Sequence, residues 1–461
     1  MVLSVLGALL AARCSAKTNR FSAKWRGTEA TADAAFAAAD VPLKTDCTIS
    51  VIGAGWSGAY FAWRLAIDSQ TVKASEVCVF EANGRVGGRV DSIHGLPGFD
   101  DLAVDLGGYR FIETDLLPAQ LVWKALELPT ACYDWNCSAD CEGANCYVIK
   151  DVYANNCGYA RPIETMLARL EDAGAGVYFG YALESLKWGN TTTLGFRNGA
   201  KVVSKTVLLN VPRNSLENLD IEPALPALAE LLLDRVSMTA LNKVYAYYDD
   251  AWWNSKLGLM EGYFNSTTSL APLVGRYHDG PQKCAIGRDT DGKVIYGAKF
   301  QGGNCTGAIE VYYSVEAPFY RAFMTDDLSP VTVATDDRHP LKIAVHEALM
   351  AYHANALAAV GFATSDIPLP VTVVLSNWIK DGAYAPGIGR MLATDYGKKI
   401  ARNPTNGLAN LFVANQDYGY KSGWANGGLL MAEKVLQSDL GVGKPAWLDD
   451  AYYEEYILQV P

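Results

Sequence analysis

Residues 47–66 read CTISVIGAGWSGAYFAWRLA. An apolar, β-branched run from Ile49 to Ile52 enters the spacing Gly53-x-Gly55-x-x-Gly58, and Tyr60, Phe61, Trp63 and Leu65 follow in a stretch that suits a helix. This is strand, tight turn, helix. The first glycine makes the turn, the second admits a pyrophosphate to the backbone, and the third lets helix pack on strand, with the helix N-terminus facing the phosphates. The spacing alone is weak evidence. The next strand, EVCVFEA, ends in Glu81, twenty-three residues past Gly58, where a carboxylate can take ribose hydroxyls. Together they predict an α/β chain built on a Rossmann-type dinucleotide-binding domain.

Two further glycine clusters lie outward from this unit. EANGRVGGRVDS places Gly87, Gly88 and Arg89 just after the ribose carboxylate, and a second Gly-Gly-Arg suits a long bent cofactor better than NAD. In VDLGGYRF, residues 104–111, Gly107 and Gly108 let backbone lie flat against something bulky. Arg110 follows at once. It is either ion-paired with an acid such as Asp105 or Glu113, or it is the anion receptor of a pocket.

Composition limits the alternatives. A chain of 461 residues, 50% hydrophobic and 19% charged, has apolar material for a large core divided over two or more domains. The formal charge of −11 argues against nucleic acid as a partner, since such partners need a basic face. No run after the N-terminus approaches the length of a membrane span. The opening MVLSVLGALLAARCSA suits a signal peptide over residues 1–16, although it lacks a positive start. Ten cysteines, five of them crowded between Cys132 and Cys157, fit stapled loops in an oxidising compartment. Zinc is disfavoured because that segment has no histidine and no paired C-x-x-C. Cys47 and Cys78, in apolar strand runs, are expected as buried thiols. Sequons at Asn136, Asn190, Asn265 and Asn304 agree with a secreted glycoprotein.

VIGAGWSG, VFEANGRVGGRV and VDLGGYRF together resemble the N-terminal signature of the flavin-containing amine oxidases, the group that includes monoamine, polyamine and L-amino-acid oxidases. The resemblance implies that Arg89 contacts the FAD pyrophosphate and that Gly107 and Gly108 pass beside the isoalloxazine. Asn83 stands where the family often has another arginine. At the other end, LFVANQDYGYKSGWANGGLLMAEKVL (411–436) resembles the family's last flavin motif, with Gly423 and Trp424 at the ring, Asn426 opening a helix toward flavin O2, and Gln416 in place of the usual acid. SNWIKDGAYAPGIG is similar to the segment that brings Tyr384 opposite Trp424 as an aromatic cage. Ala383, where covalent monoamine oxidases have cysteine, implies non-covalent FAD. In ALNKVYAYYDDAWW (240–253), Lys243 begins an alternating strand and precedes Trp253 by ten residues, and the resemblance implies a lysine that reaches flavin N5 through a water. By spacing alone it is a solvated residue at a strand edge.

Two substrate readings follow, with O2 as reoxidant and a small molecule as partner; an oligomer is compatible with both. Arg110 stands where L-amino-acid oxidases put their carboxylate-binding arginine, and AIEVYYSV resembles the segment with their carboxylate-binding tyrosine, which selects Tyr312 over its neighbours. L-amino-acid oxidation is therefore expected, with monoamine or polyamine oxidation as the alternative and a non-enzymatic flavoprotein as a third reading. The FAD-binding domain is expected to be discontinuous, over 46–115, 158–233 and 377–440, and a mixed α+β substrate-binding domain to take 116–157 and 234–376. Between Leu116 and Cys157, where the family carries a long helical region, the chain has only a short Cys-rich loop.

Overall fold

The computed structural model describes residue 21 and residues 42–459, apart from 99–102, 134–136, 138–140, 151–155, 268–270, 289, 291–293, 298–304, 324–329, 379–387, 392–398, 400, 406–409 and 420–422. The expected signal peptide, Asn136, Asn304, Ala383 and Tyr384 lie outside the described residues.

The glycine-rich unit forms as the sequence predicts. Strand β1 (Asp46–Ile52) turns at Gly53 into helix α1 (Trp56–Asp68), which leads back to β2 (Val77–Glu81), parallel to β1. Ile49, Val51, Val77 and Val79 are all buried, which fits a parallel strand covered on both faces. Helix α2 (Arg161–Asp172) packs beside α1 and feeds β3 (Gly176–Phe179), parallel to β2. A meander of β4 (Leu183–Lys187), β5 (Thr192–Phe196) and β6 (Lys201–Leu209) follows, and β6 runs parallel to β1 on its free side. The sheet therefore runs β4-β5-β6-β1-β2-β3, with Asp220–Glu222 at its edge beside β4.

A second sheet is antiparallel. Its centre is β7 (Leu241–Tyr248), flanked by β8 (Cys305–Val315) and by β9 (Thr372–Trp378). Between these last two in sequence, helix α3 (Pro340–Ala359) buries Leu341, Val345 and Leu349 in a core with Val244, Val311 and Leu375. The chain then returns to the first sheet as β10 (Leu411–Val413), parallel to the second half of β6, and helix α4 (Ala425–Ser438), which lies on α1. Arg64 of α1 and Glu433 of α4 form a fully buried pair at 3.0 Å, and Tyr60 donates to the same carboxylate at 2.7 Å. This joins two pieces of chain that lie far apart in sequence.

Cys47 and Cys78 are not thiols. They form a disulfide that links β1 to β2, because the two strands are neighbours in the sheet. The Cys-rich stretch is stapled as Cys132–Cys137 and Cys141–Cys146, and Cys284 and Cys305, direct partners in the second sheet, are also joined. Cys157 is disulfide-bonded too. The region after Leu116 begins with a short helical stretch (Leu116–Ala125) before the Cys-rich part pairs as a three-stranded sheet of Phe111–Ile112, Cys146–Ile149 and Thr130–Cys132. Asn190 and Asn265 are exposed, as glycan acceptors must be. Among the described residues no helix is long and apolar enough to cross a membrane, and no cluster of metal-ligating side chains occurs.

Candidate active site

A cavity of about 310 Å³ runs between the sheets and collects the glycine-rich segments from both ends of the chain. At one end the turn after β1 is fixed by its own geometry. Gly53 sits at φ +98°, its N–H donates to Phe80 O at 2.7 Å, and a Cβ on Gly58 would fall 2.1 Å from Gly53 O. Helix α1 has no side-chain cap and no acidic residue in its first turn, so its N-terminal amides and positive end are left for an anion. Asn210, at the end of β6, locks the turn by donating to Gly53 O and accepting from the Ser57 hydroxyl. The sequence reading passed over this asparagine, whose only signal was its place after a buried strand.

Glu81, 6% exposed, lies on the cavity wall and accepts from Ala54 N at 2.8 Å and from Asn83 N at 2.9 Å. The Asn83 amide also reaches it at 3.1 Å, so the residue in the family's arginine position holds the carboxylate in place. Arg89 also borders the cavity, but its guanidinium pairs with the buried Asp417 and donates to Asn415 at 2.8 Å. It ties the second glycine cluster to the C-terminal segment, a role that its position in sequence did not show. Gly55 and Gly87 meet in an isolated parallel bridge beside it. The cradle fits a dinucleotide: its walls are backbone and glycine where phosphates need close approach, with an uncapped helix end and a fixed carboxylate at either side.

The other end is aromatic. Gly107 and Gly108 both border the cavity. A Cβ on Gly107 would strike Arg89 O at 2.1 Å, so this glycine also lets its segment pack on the second glycine cluster. Gly423, Trp424, Gln416 and the N-terminus of α4 close the cavity from the C-terminal segment. Like α1, α4 has neither a side-chain cap nor an acid in its first turn. Trp424 is half-buried and donates from Nε1 to Glu142 of the Cys-rich segment at 3.1 Å. The Asn426 side chain is turned away: its Oδ1 accepts from Tyr452, because one step along the helix from Ala425 rotates it off the cavity side.

Arg110 borders the cavity and makes neither of the ion pairs weighed for it. Asp105 accepts from Ser92, Asn156 and Tyr159, and Glu113 from Asn145 and Tyr147. The Arg110 guanidinium instead lies over the rings of Tyr109 at 4.9 Å and Tyr133 at 4.2 Å, with Nη1 buried and without a hydrogen-bond partner. Tyr133 escaped the sequence reading entirely, as did Tyr109 and Trp378 on the wall.

Tyr312 is corrected. Its hydroxyl donates to Val315 O and its ring packs on Tyr320 in the core of the second sheet, while Tyr313 borders the cavity. The cause is a β-bulge: Val244 faces Tyr312 but Tyr245 faces Glu310, so Val311 is the extra residue. The bulge puts Glu310 and Tyr313, three apart, on one side of the strand.

Lys243 is fully buried in a central strand and is no solvated edge residue. Its ammonium lies 3.7 Å from the Tyr109 ring centre and 3.6 Å from Glu310 Oε2, behind the cavity wall and not on it. Burial pushes the Lys243 amine below its ordinary range, against the pull of Glu310. Burial and then the Asp279 charge hold the Glu310 carboxyl well above the carboxylate range. Asp279 itself is held low: burial opposes this, but Arg276, His278, Arg110 and Lys243 outweigh it. An acid in the apolar run of AIEVYYSV was the signal available for Glu310.

Known proteins agree with this geometry. The NAD(P)-binding Rossmann-like domain family matches residues 51–125, and the family described as flavin containing amine oxidoreductase matches residues 139–430. Achacin of Lissachatina fulica is 40% identical over 65 residues, which is 14% of this chain and 11% of Achacin, so the chain spans only a small part of that relative. Wild-type putrescine oxidase bound to putrescine superposes with a TM-score of 0.55 at 13% identity, over 86% of this chain and 99% of that one. A double mutant of putrescine oxidase redesigned for cofactor binding gives a TM-score of 0.57 at 14% identity over the same shares. At such identity the likeness is one of fold. With the family match extending over most of the chain and a cradle that fits the dinucleotide, this chain belongs to the family of flavin-containing amine oxidoreductases.

Proposed function

We propose that the protein is an L-amino-acid oxidase with non-covalently bound FAD, which releases a keto acid, ammonia and hydrogen peroxide. The observation that carries this reading is Arg110: a guanidinium on the cavity wall, against two tyrosine rings, with a buried Nη1 and no ion pair among the described residues. A cation so placed suits an incoming carboxylate, which it can take in a bidentate grip.

FAD supplies the hydride acceptor that O2 later reoxidises. The chain's own residues do the positioning. Glu81 takes the ribose hydroxyls, while the glycine turn and the N-terminus of α1 take the pyrophosphate. Arg89 borders that region from its anchor on Asp417. Gly107, Gly108, Gly423, Gln416 and the N-terminus of α4, with the Asn426 backbone, surround the isoalloxazine. Arg110 then fixes the substrate carboxylate and aims Cα–H at the ring, with Trp424 as a side wall. Lys243 supports the Tyr109 ring from behind the cavity wall. In this reading the cofactor-binding domain takes 46–115, 158–233 and 377–440, and the substrate-binding domain takes 116–157 and 234–376. The disulfides and exposed sequons support a secreted glycoprotein.

Putrescine oxidase shares the fold, and an amine is the second reading. A diamine needs a carboxylate for its far ammonium. Among the described residues Glu81 is the only acid on the wall, and it is already held by Ala54 and Asn83 at the opposite end from Arg110. The test is Arg110→Met, assayed on an L-amino acid and on the amine left by its decarboxylation. Loss of a charge-assisted bidentate contact costs about 2–4 kcal/mol, or roughly 30- to 1000-fold in kcat/KM for the amino acid, with far less loss for the amine. Equal losses, or a wild type that prefers the amine, would overturn the reading.

A further inference from the structure

The disulfide-stapled segment that stands in place of the family's helical region carries Tyr133, and this residue touches the site through Arg110. Its backbone N–H donates to Cys146 O at 2.8 Å, and Cys132, next to it, is bridged to Cys137. The side chain is 5% exposed. Its ring face lies 4.2 Å from the Arg110 guanidinium, and its hydroxyl accepts from Arg276. Arg276 is itself anchored by Asp279 at 3.8 Å and by the ring of Tyr263 at 4.5 Å. Tyr133 is therefore held at both ends, with one arginine on its face and another on its hydroxyl.

Arginine carries a long side chain with much rotamer freedom, and a buried guanidinium without an anion is poorly solvated. A ring clamped over it does two things. The negative face of the π-system offsets the lost hydration, which is worth most where water is excluded. The ring also restricts where the guanidinium can go, so a carboxylate that arrives has less of it to order. An ion pair with a protein acid would also fix Arg110, but would leave no charge for a substrate. Two tyrosines fix it and leave the charge available.

Resting on the amino-acid reading above, we infer that Tyr133 is a positioning residue that sets the preference for a carboxylate over a carboxylate-free amine by covering the Arg110 guanidinium with its ring, which packs beside that of Tyr109. The stapled segment backs the substrate site through Arg110 and is not merely a shortened loop.

The experiment titrates the holoenzyme with benzoate and with benzylamine, which share a ring and differ in the charged group, and follows binding by calorimetry. Tyr133→Leu removes the π-face, and Tyr133→Phe keeps it while losing the bond to Arg276. The Leu variant should weaken benzoate roughly tenfold or more and leave benzylamine within about twofold, as expected for loss of a desolvated cation–π contact. In steady-state assays on an amino acid its loss should fall on KM more than on kcat. The Phe variant should restore most of the benzoate affinity. A Leu variant that binds benzoate as the wild type does, or that loses both probes alike, overturns the inference, and so does a Phe variant as impaired as the Leu variant. A wild type that takes benzylamine and rejects benzoate sinks the amino-acid reading itself, an outcome seen before any variant is made.

Discussion

Lys243 and Glu310 meet across two adjacent antiparallel strands with Nζ 3.6 Å from Oε2, and their side chains are 1% and 0% exposed. Tyr245 donates to the same carboxylate at 3.3 Å, and the Tyr109 ring covers the amine. The pair lies directly behind the aromatic wall of the cavity, so its integrity bears on both the stability of the second sheet and the shape of the site.

Removing one member of a buried pair strands the other. Glu310→Ala leaves the buried Lys243 amine and Tyr245 hydroxyl without their partner and should destabilise the protein by about 1–3 kcal/mol, and Lys243→Met combined with Glu310→Leu should recover most of that loss. Denaturant midpoints of the single and double variants check this. A single variant as stable as wild type would show that the pair has no energetic coupling to the fold.

The same residue predicts a pH dependence. Because burial and Asp279 raise the Glu310 carboxyl, the unfolded chain gives up this proton at lower pH than the folded chain does. Its contribution is complete below about pH 4, the range of an unperturbed carboxyl, and is lost as pH rises toward the folded value. Lys243, Tyr245, Asp279 and Arg276 face it and keep their charges or hydrogen bonds in Glu310→Gln. The stability of wild type relative to Glu310→Gln should therefore fall as pH rises above the unperturbed carboxyl range of about 4.5. A rise instead would mean that the folded state prefers the ionised carboxylate.

The turn after β1 admits no side chain at Gly58. Gly58→Ala would place a Cβ 2.1 Å from Gly53 O and 2.6 Å from the Asn210 amide, so the cradle must open to hold it. The variant should be purified with little or no yellow colour and with a lower melting temperature. Normal flavin content, read from the ratio of visible to ultraviolet absorbance, would contradict the assignment of this turn to the cofactor.

Flavin release tests the mode of attachment. Ala383 offers no sulfur for a thioether, so acid precipitation should leave FAD in the supernatant. Flavin fluorescence that stays with the pellet would place a covalent link in the protein.

The disulfide between β1 and β2 closes a loop with a sequence separation of 31. Replacing Cys47 and Cys78 together by serine should cost about 3–4 kcal/mol by loop-closure entropy. The measurement is the denaturation midpoint under non-reducing conditions, and an unchanged midpoint would show that the sheet alone fixes these strands.

Which parts of this protein were legible in the sequence follows from the range of the interactions involved. The turn at Gly53, the helix that follows it and the carboxylate of Glu81 are written in a short stretch, because turn chemistry and strand periodicity are local properties. The flavin cradle at both ends of the chain was legible for the same reason: each glycine cluster marks its own close approach. Only the tertiary structure decided what the long-range neighbours do. It joined Cys47 to Cys78, which look like two separate core residues until β1 and β2 lie side by side. It brought Tyr133 from the Cys-rich segment onto Arg110, a pairing without any signature in spacing. Strand alternation cannot foresee the bulge at Val311, because one extra residue exchanges the faces of everything after it. That single residue sends Tyr312 into the core and turns Tyr313 and Glu310 toward Lys243.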